Sequence, residues 1–135
     1  MADRLSRRDV IHAAVKVLGT GRCVAVFPEG TTGPGDAPLH FHSNFVQPAI
    51  QAKVPLLPVS LQYFMPNGKF SSEPAFIGEQ TLLENIQVLM NSTTGFVVQL
   101  YIHAPIDTDG RTRHELSDEA HEKIRALCSK TSVVA

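Results

Sequence analysis

Cysteine is scarce. Cys23 and Cys128 are the only two in 135 residues, and they lack the paired spacing of a disulfide framework or a zinc site. Both read as reduced, packed thiols. Long apolar runs are also missing: a spanning helix needs ~18 apolar residues, whereas the longest stretch here, Val10 to Leu18, is interrupted by His12 and Lys16. The sequence therefore predicts neither a transmembrane span nor a secretion signal. Charge of one sign is not in excess either. Twelve Lys and Arg against thirteen Asp and Glu leave a net charge of -1, too little field to draw in a polyphosphate backbone, so no nucleic acid partner is expected. With 43% hydrophobic and 19% charged residues and nine each of Gly and Pro, the chain falls outside the collagen-like and disordered classes. Its length predicts a single domain over residues 1–135.

What is present alternates between helical and extended patterns. Val10, Ile11, Ala14, Val15 and Leu18 recur at helical spacing, and Gly19 and Gly21 stop the helix. The continuous apolar run Cys23–Phe27 has the character of a strand buried on both faces, as in a parallel sheet. From Pro28 to Pro38 the chain is dense in Gly and Pro, which predicts a long loop. Ser43 is placed to cap a helix running to Ala52 and bent at Pro48. A second buried strand is expected from Val54 to Leu61, with Pro55 at its start, and a turn over Pro66–Lys69.

Thr81 and Glu84 have capping-box spacing ahead of Leu82, Leu83, Ile86, Leu89 and Met90, and Thr112 with Glu115 repeats it ahead of Leu116, Ala120, Ile124 and Leu127. Between these helices, Phe96–His103 reads as a strand and Asp107–Gly110 as a turn. The order helix, strand, helix, strand, helix, strand, helix predicts an α/β fold: a layered, mostly parallel sheet flanked by helices.

The loop after the first expected strand carries the strongest chemical signal. In open α/β sheets, ligands gather beyond the carboxyl ends of strands, and Phe27-Pro28-Glu29-Gly30-Thr31 stands there. Gly30 permits close backbone approach, Glu29 can accept hydrogen bonds from substrate hydroxyls, and Thr31 can donate or accept. These features fit a structural turn as well as a site.

Read with its neighbours, this segment resembles the third motif of the glycerolipid acyltransferases, the family typified by lysophosphatidic acid acyltransferases. Pro38-Leu39-His40-Phe41-His42 follows where the family has an apolar residue, Phe and a basic residue, and Val54-Pro55-Leu56-Leu57-Pro58-Val59 is similar to the fourth motif. Asp3-Arg4 resembles the end of the second. The resemblance covers almost the whole chain. It implies an incomplete glycerolipid acyltransferase fold and an enzyme of phospholipid biosynthesis, moving an acyl chain from acyl-CoA or acyl-carrier protein to the hydroxyl of 1-acyl-glycerol-3-phosphate. The site residues it implies are Arg4 at the acceptor phosphate, Phe27, Pro28, Glu29, Gly30 and Thr31 at the acceptor, and Pro58 in the substrate site. It also implies a membrane surface as partner, a peripheral cytoplasmic location, no metal and no cofactor beyond the thioester co-substrate.

The family's first motif, a His followed by four residues and then Asp, supplies the general base and the group that orients it. No His in this sequence has Asp at that distance; His114 has Glu119 there, inside the terminal helical pattern, where a solvated face is the simpler reading. The motif is expected upstream of Met1, which predicts that residues 1–135 alone are catalytically silent, since a positioned base contributes about 10²–10⁴-fold. Two departures bear on substrate. Thr32 stands where many members have Arg, and Ser43-Asn44 where they often have Gly; the Thr32-Gly33 variant is closer to the acyltransferases of lyso-ornithine lipid synthesis. A noncatalytic lipid-binding or interaction domain is the reading from a different class. His40 and His42 lack the further cluster a metal site requires, and Gly30, Gly33 and Gly35 lack the Lys of a nucleotide loop. Arg4, Arg7, Arg8, Lys16 and Arg22 make the first residues basic, which suits either a solvated helix face or an anionic lipid surface.

Overall fold

The computed structural model describes residues 7–75, 81–91 and 95–131. Helix α1 spans Arg7–Leu18 and stops where the glycines predict, with the Gly19 N–H donating to the Val15 carbonyl at 2.9 Å and Gly21 at φ 78°. The expected helix from Ser43 is instead two pieces, a 3₁₀ turn Ser43–Val46 and helix α2, Gln47–Ala52. His42, not Ser43, occupies the cap position of the 3₁₀ turn and makes no side-chain capping bond. Pro48 falls in the first turn of α2, where its missing N–H is harmless.

Strand β1 is Val59–Phe64 and strand β2 is Val97–Ile102. They pair antiparallel, from Val59 opposite Ile102 to Phe64 opposite Val97. The strand expected at Val54 thus begins only after Pro58. Upstream, the prolines interrupt the ladder and leave one isolated bridge, in which Leu56 and Ile106 exchange hydrogen bonds of 2.9 and 2.8 Å.

The layered, mostly parallel sheet is corrected for the described residues, whose sheet is this two-stranded antiparallel pair; the mixed α/β character holds. The expected strand Cys23–Phe27 joins no ladder among those residues, and Phe27 is 78% exposed. A strand buried on both faces needs neighbours on both sides, and β1 and β2 pair with one another instead.

Helix α3, Leu82–Asn91, and helix α4, Arg113–Thr131, begin with the two capping boxes. Glu84 accepts the Thr81 N–H at 2.7 Å and Glu115 the Thr112 N–H at 2.8 Å, while each threonine hydroxyl accepts the glutamate N–H at 3.3 Å. The turn Pro66–Lys69 closes as expected, with the Gly68 N–H donating to the Met65 carbonyl at 2.9 Å. The small core joins Val46, Ile106 and Leu116, lined by Ile50, Leu56 and Ala120. It ties the 3₁₀ turn and α2 to the Leu56–Ile106 bridge and α4. No described helix is long and apolar enough to cross a membrane. Cys23 and Cys128 are both free thiols, Cys128 packed as expected but Cys23 exposed, because the run Cys23–Phe27 has no neighbouring strand to cover it among the described residues.

Candidate functional site

Pro28–His42 folds back on itself as a closed loop. The His42 N–H donates to the Pro28 carbonyl at 2.8 Å, tying the two ends, and the Leu39 N–H donates to Glu29 Oε2 at 2.8 Å across the middle. Glu29 is therefore first a loop-closing residue: its carboxylate satisfies a backbone donor ten positions later, leaving Oε1 for another partner. Gly30 follows in the left-handed region at φ 68°. A Cβ there would lie 3.2 Å from His42 Cδ2, so both the backbone and the neighbouring ring require glycine.

Period-two alternation organises the far side of the loop. Phe41 turns inward, buried, and meets His121 of α4 edge-on at 5.0 Å between ring centroids. His40 and His42 flank it, are exposed, and stand in a T-shaped arrangement at 5.7 Å. Helix α4 supports the same region twice more. Arg113 donates to Asn44 Oδ1 at 2.9 Å, and buried Cys128 lies near enough to Asp36 and Glu29 to feel both charges. Its thiol is pushed upward mainly by burial and then by those carboxylates, which keeps it in the neutral form. Sequence reading missed this support from α4; the signal lay in the single apolar residue of His-Phe-His, which had to face something.

The structure brings Pro28, Glu29 and Gly30 together with Leu39 and His42, and leaves Thr31 and Phe27 exposed. Pro58 is buried at the start of β1, where its carbonyl accepts the His103 N–H at 3.0 Å. Its contacts are with the sheet, and it makes no hydrogen bond to the loop among the described residues. Arg4 lies outside the described residues. Two shallow concavities, of about 330 Å³ along Arg8, Ile11, His12 and Gln51 and about 300 Å³ along Phe64, Met65, Pro66, Gly68, Val97 and Gln99, are both lined away from the loop. Among the described residues no group of three His, Cys, Asp or Glu is arranged to hold a metal ion. Glu119, the residue five after His114, is an ion-pair partner of Arg111 at 2.6 Å and Lys123 at 3.4 Å, and these cations hold its carboxyl below the usual range. That is the solvated-face role its spacing predicts.

Residues 1–62 match the family model Acyltransferase. The lyso-ornithine lipid O-acyltransferase of Pseudomonas aeruginosa is 32% identical over 108 residues, covering 80% of this chain and 41% of that protein. The 1-acyl-sn-glycerol-3-phosphate acyltransferases of Neisseria gonorrhoeae and Neisseria meningitidis are 32% and 33% identical over 138 positions, covering 98% of this chain and 53% of each relative. No solved structure matches. The chain thus spans about half the length of the curated relatives it matches. The Phe27–Thr31 motif, presented on a closed loop, lies inside the matched segment, and over nearly its whole length the chain is similar to acyltransferases that act on glycerophosphate and ornithine lipids.

Proposed function

We propose that residues 1–135 are the acceptor-loop part of an acyltransferase of phospholipid biosynthesis, which moves an acyl chain from acyl-CoA or acyl-carrier protein to the hydroxyl of 1-acyl-glycerol-3-phosphate. The observation that carries this reading is the Glu29–Leu39 closure, which holds Gly30 and Thr31 in one exposed conformation inside the family-matched segment. The chemistry needs a base to take the hydroxyl proton, so that the oxygen attacks the thioester carbonyl and the thiol leaves. That base, with its orienting carboxylate, belongs to a part of the enzyme other than this loop. In the full enzyme, Cys23–Phe27 pairs with further strands as a member of the layered, mostly parallel sheet, the single domain becomes complete, and Phe27 and Pro58 line the substrate site. Arg4 meets the acceptor head group there. The enzyme works at the cytoplasmic face of a membrane, where its lysophospholipid acceptor resides, and requires no metal.

The lyso-ornithine acceptor is the second reading, favoured by Thr32 in place of the family's Arg and by the Pseudomonas relative. The test is a chimera in which residues 1–135 replace the matched part of the Neisseria meningitidis relative. Acyl transfer to 1-acyl-glycerol-3-phosphate above background supports the glycerophosphate reading, and transfer to lyso-ornithine lipid alone supports the second. A folded chimera without either activity favours a noncatalytic lipid-binding module.

A further inference from the structure

The backbone of β2 is paired along one side. The His103 N–H donates to the Pro58 carbonyl at 3.0 Å, and the ladder with β1 continues in the same register to Val97 opposite Phe64. Alternate residues of an antiparallel strand exchange both bonds with one neighbour, so Tyr101, Gln99 and Val97 aim their backbone groups at β1. The N–H and C=O of Val98, Leu100 and Ile102 therefore point the other way. The far side of β1 agrees with this parity: the Tyr63 carbonyl, opposite Val98, accepts the Ser71 N–H and not a bond from β2. Among the described residues no segment bonds to the outward edge of β2. Proteins ordinarily guard such an edge with a charge, a proline, a bulge or a covering element. Phe96–His103 contains no Asp, Glu, Lys, Arg, Pro or Gly, its pairs with β1 are consecutive, and every residue of β2 is exposed.

We propose that the outward edge of β2 is an interface for a second copy of this chain, the two β2 strands pairing antiparallel about a two-fold axis at Leu100 to build one four-stranded sheet. Leu100 then lies opposite Leu100 of the partner subunit, and Val98 opposite Ile102 of the partner subunit. In this register every outward N–H and C=O of Val98, Leu100 and Ile102 meets an outward group of the other strand. A slip of one residue sets outward groups against inward ones and turns the apolar residues onto opposite faces. A slip of two carries an end residue of each strand past its mate. The side chains favour the same register: Val98, Leu100 and Ile102 share a sheet face with Tyr63, Leu61 and Val59 of β1, so one apolar stripe runs across all four strands. Composition selects the occupant. Two uncharged strands meet without like-charge repulsion, whereas a charged partner strand has no opposite charge on β2 to pair with. The two-fold closes the assembly at a dimer, and with one strand contributed by each copy it forms as concentration rises.

The experiment combines sedimentation of residues 1–135 over a concentration series with residue-resolved amide exchange. Sedimentation should show a monomer–dimer equilibrium. Where the dimer prevails, the Val98, Leu100 and Ile102 amides should exchange about tenfold more slowly than in the dilute monomer, while those of Gln99 and Tyr101, bonded to β1, stay protected in both. Leu100→Lys sets two ammonium groups opposite one another at the axis and should weaken the dimer about tenfold; Leu100→Glu should do the same with carboxylates. A mixture of the two variants should associate again, since opposite charges then face each other. Leu83→Lys, a change at an equally exposed leucine on α3, should leave the dimer intact. If a variant loses its fold, the exchange pattern of the unaltered chain decides the matter. A monomer at every concentration leaves the edge to a strand of a different chain and overturns the proposal. So do open-ended aggregates in place of a dimer, a dimer whose Val98, Leu100 and Ile102 amides gain no protection, Leu83→Lys weakening association as much as Leu100→Lys, or a lysine and glutamate mixture that stays apart.

Discussion

Gly30 lacks a side chain for two separable reasons, and a substitution series can tell them apart. In Gly30→Ala the left-handed backbone costs about 1–2 kcal/mol, and the new methyl meets the His42 ring. The variant should unfold at lower urea concentration than the parent. Combining it with His42→Ala should recover the steric part and leave the backbone part, so full recovery contradicts the assignment of strain to φ. A second residue-scale expectation concerns His103, whose Nε2 lies 2.8 Å from the Ser60 hydroxyl across the sheet. Burial, and then the charge of Lys123, lower its affinity for a proton below the usual 6.5. As the pH falls through 6.5 the unfolded chain protonates first, so this site favours folding fully above 6.5 and progressively less below it, down through its own depressed value. The melting temperature should decline over that interval. His103→Gln, which keeps a partner for Ser60, should flatten the decline; an unchanged profile would remove His103 as its source.

At the scale of elements, α4 is the platform of the candidate site, and its start is set by Thr112 and Glu115. Thr112→Ala should cost about 1 kcal/mol. Because Arg113, His121 and Cys128 of the same helix underlie the loop, the variant should also speed amide exchange at Leu39 and His42, whose N–H groups close it. Thr81→Ala, which removes the same cap from α3, should leave those two amides alone; equal acceleration by both would mean that α4 has no special hold on the loop. Glu115 is held below its ordinary 4.5 by the Thr112 N–H and hydroxyl, so the cap acts above 4.5 and is lost as the pH falls through the lowered value.

Both capping boxes were legible in the sequence because a cap is a local code, complete within four residues. The loop Pro28–Pro38 was legible for the same reason. The run Cys23–Phe27 was not: its apolar residues encode burial between neighbours, and whether neighbours exist is not local information. The 3₁₀ break before Pro48 and the support from α4 were equally out of reach, since Phe41–His121 and Asn44–Arg113 join residues far apart in sequence.

The molecule as a whole exposes much apolar surface for its size. Val24, Val26 and Phe27 before the loop, Leu57, Val59 and Leu61 along β1, Leu100 and Ile102 on β2, and Leu83 and Met90 on α3 are all exposed. Soluble monomers rarely leave contiguous apolar patches of this kind uncovered. Residues 1–135 should therefore self-associate with rising concentration and bind an apolar-surface dye, as sedimentation and fluorescence would show. A strictly monomeric, dye-silent species would contradict that expectation. The central claim, that the Glu29-closed loop is the acceptor site, is tested most directly by Michaelis constants for both substrates in the meningococcal chimera carrying Glu29→Ala or Glu29→Gln. Loss of a charge-assisted hydrogen bond should raise the acceptor constant about tenfold in Glu29→Ala, leave the donor constant unchanged, and be largely reversed in Glu29→Gln, whose amide oxygen still accepts the Leu39 N–H. Proportional loss for both substrates with a lowered melting temperature, or an unchanged acceptor constant in a stable Glu29→Ala protein, would contradict it.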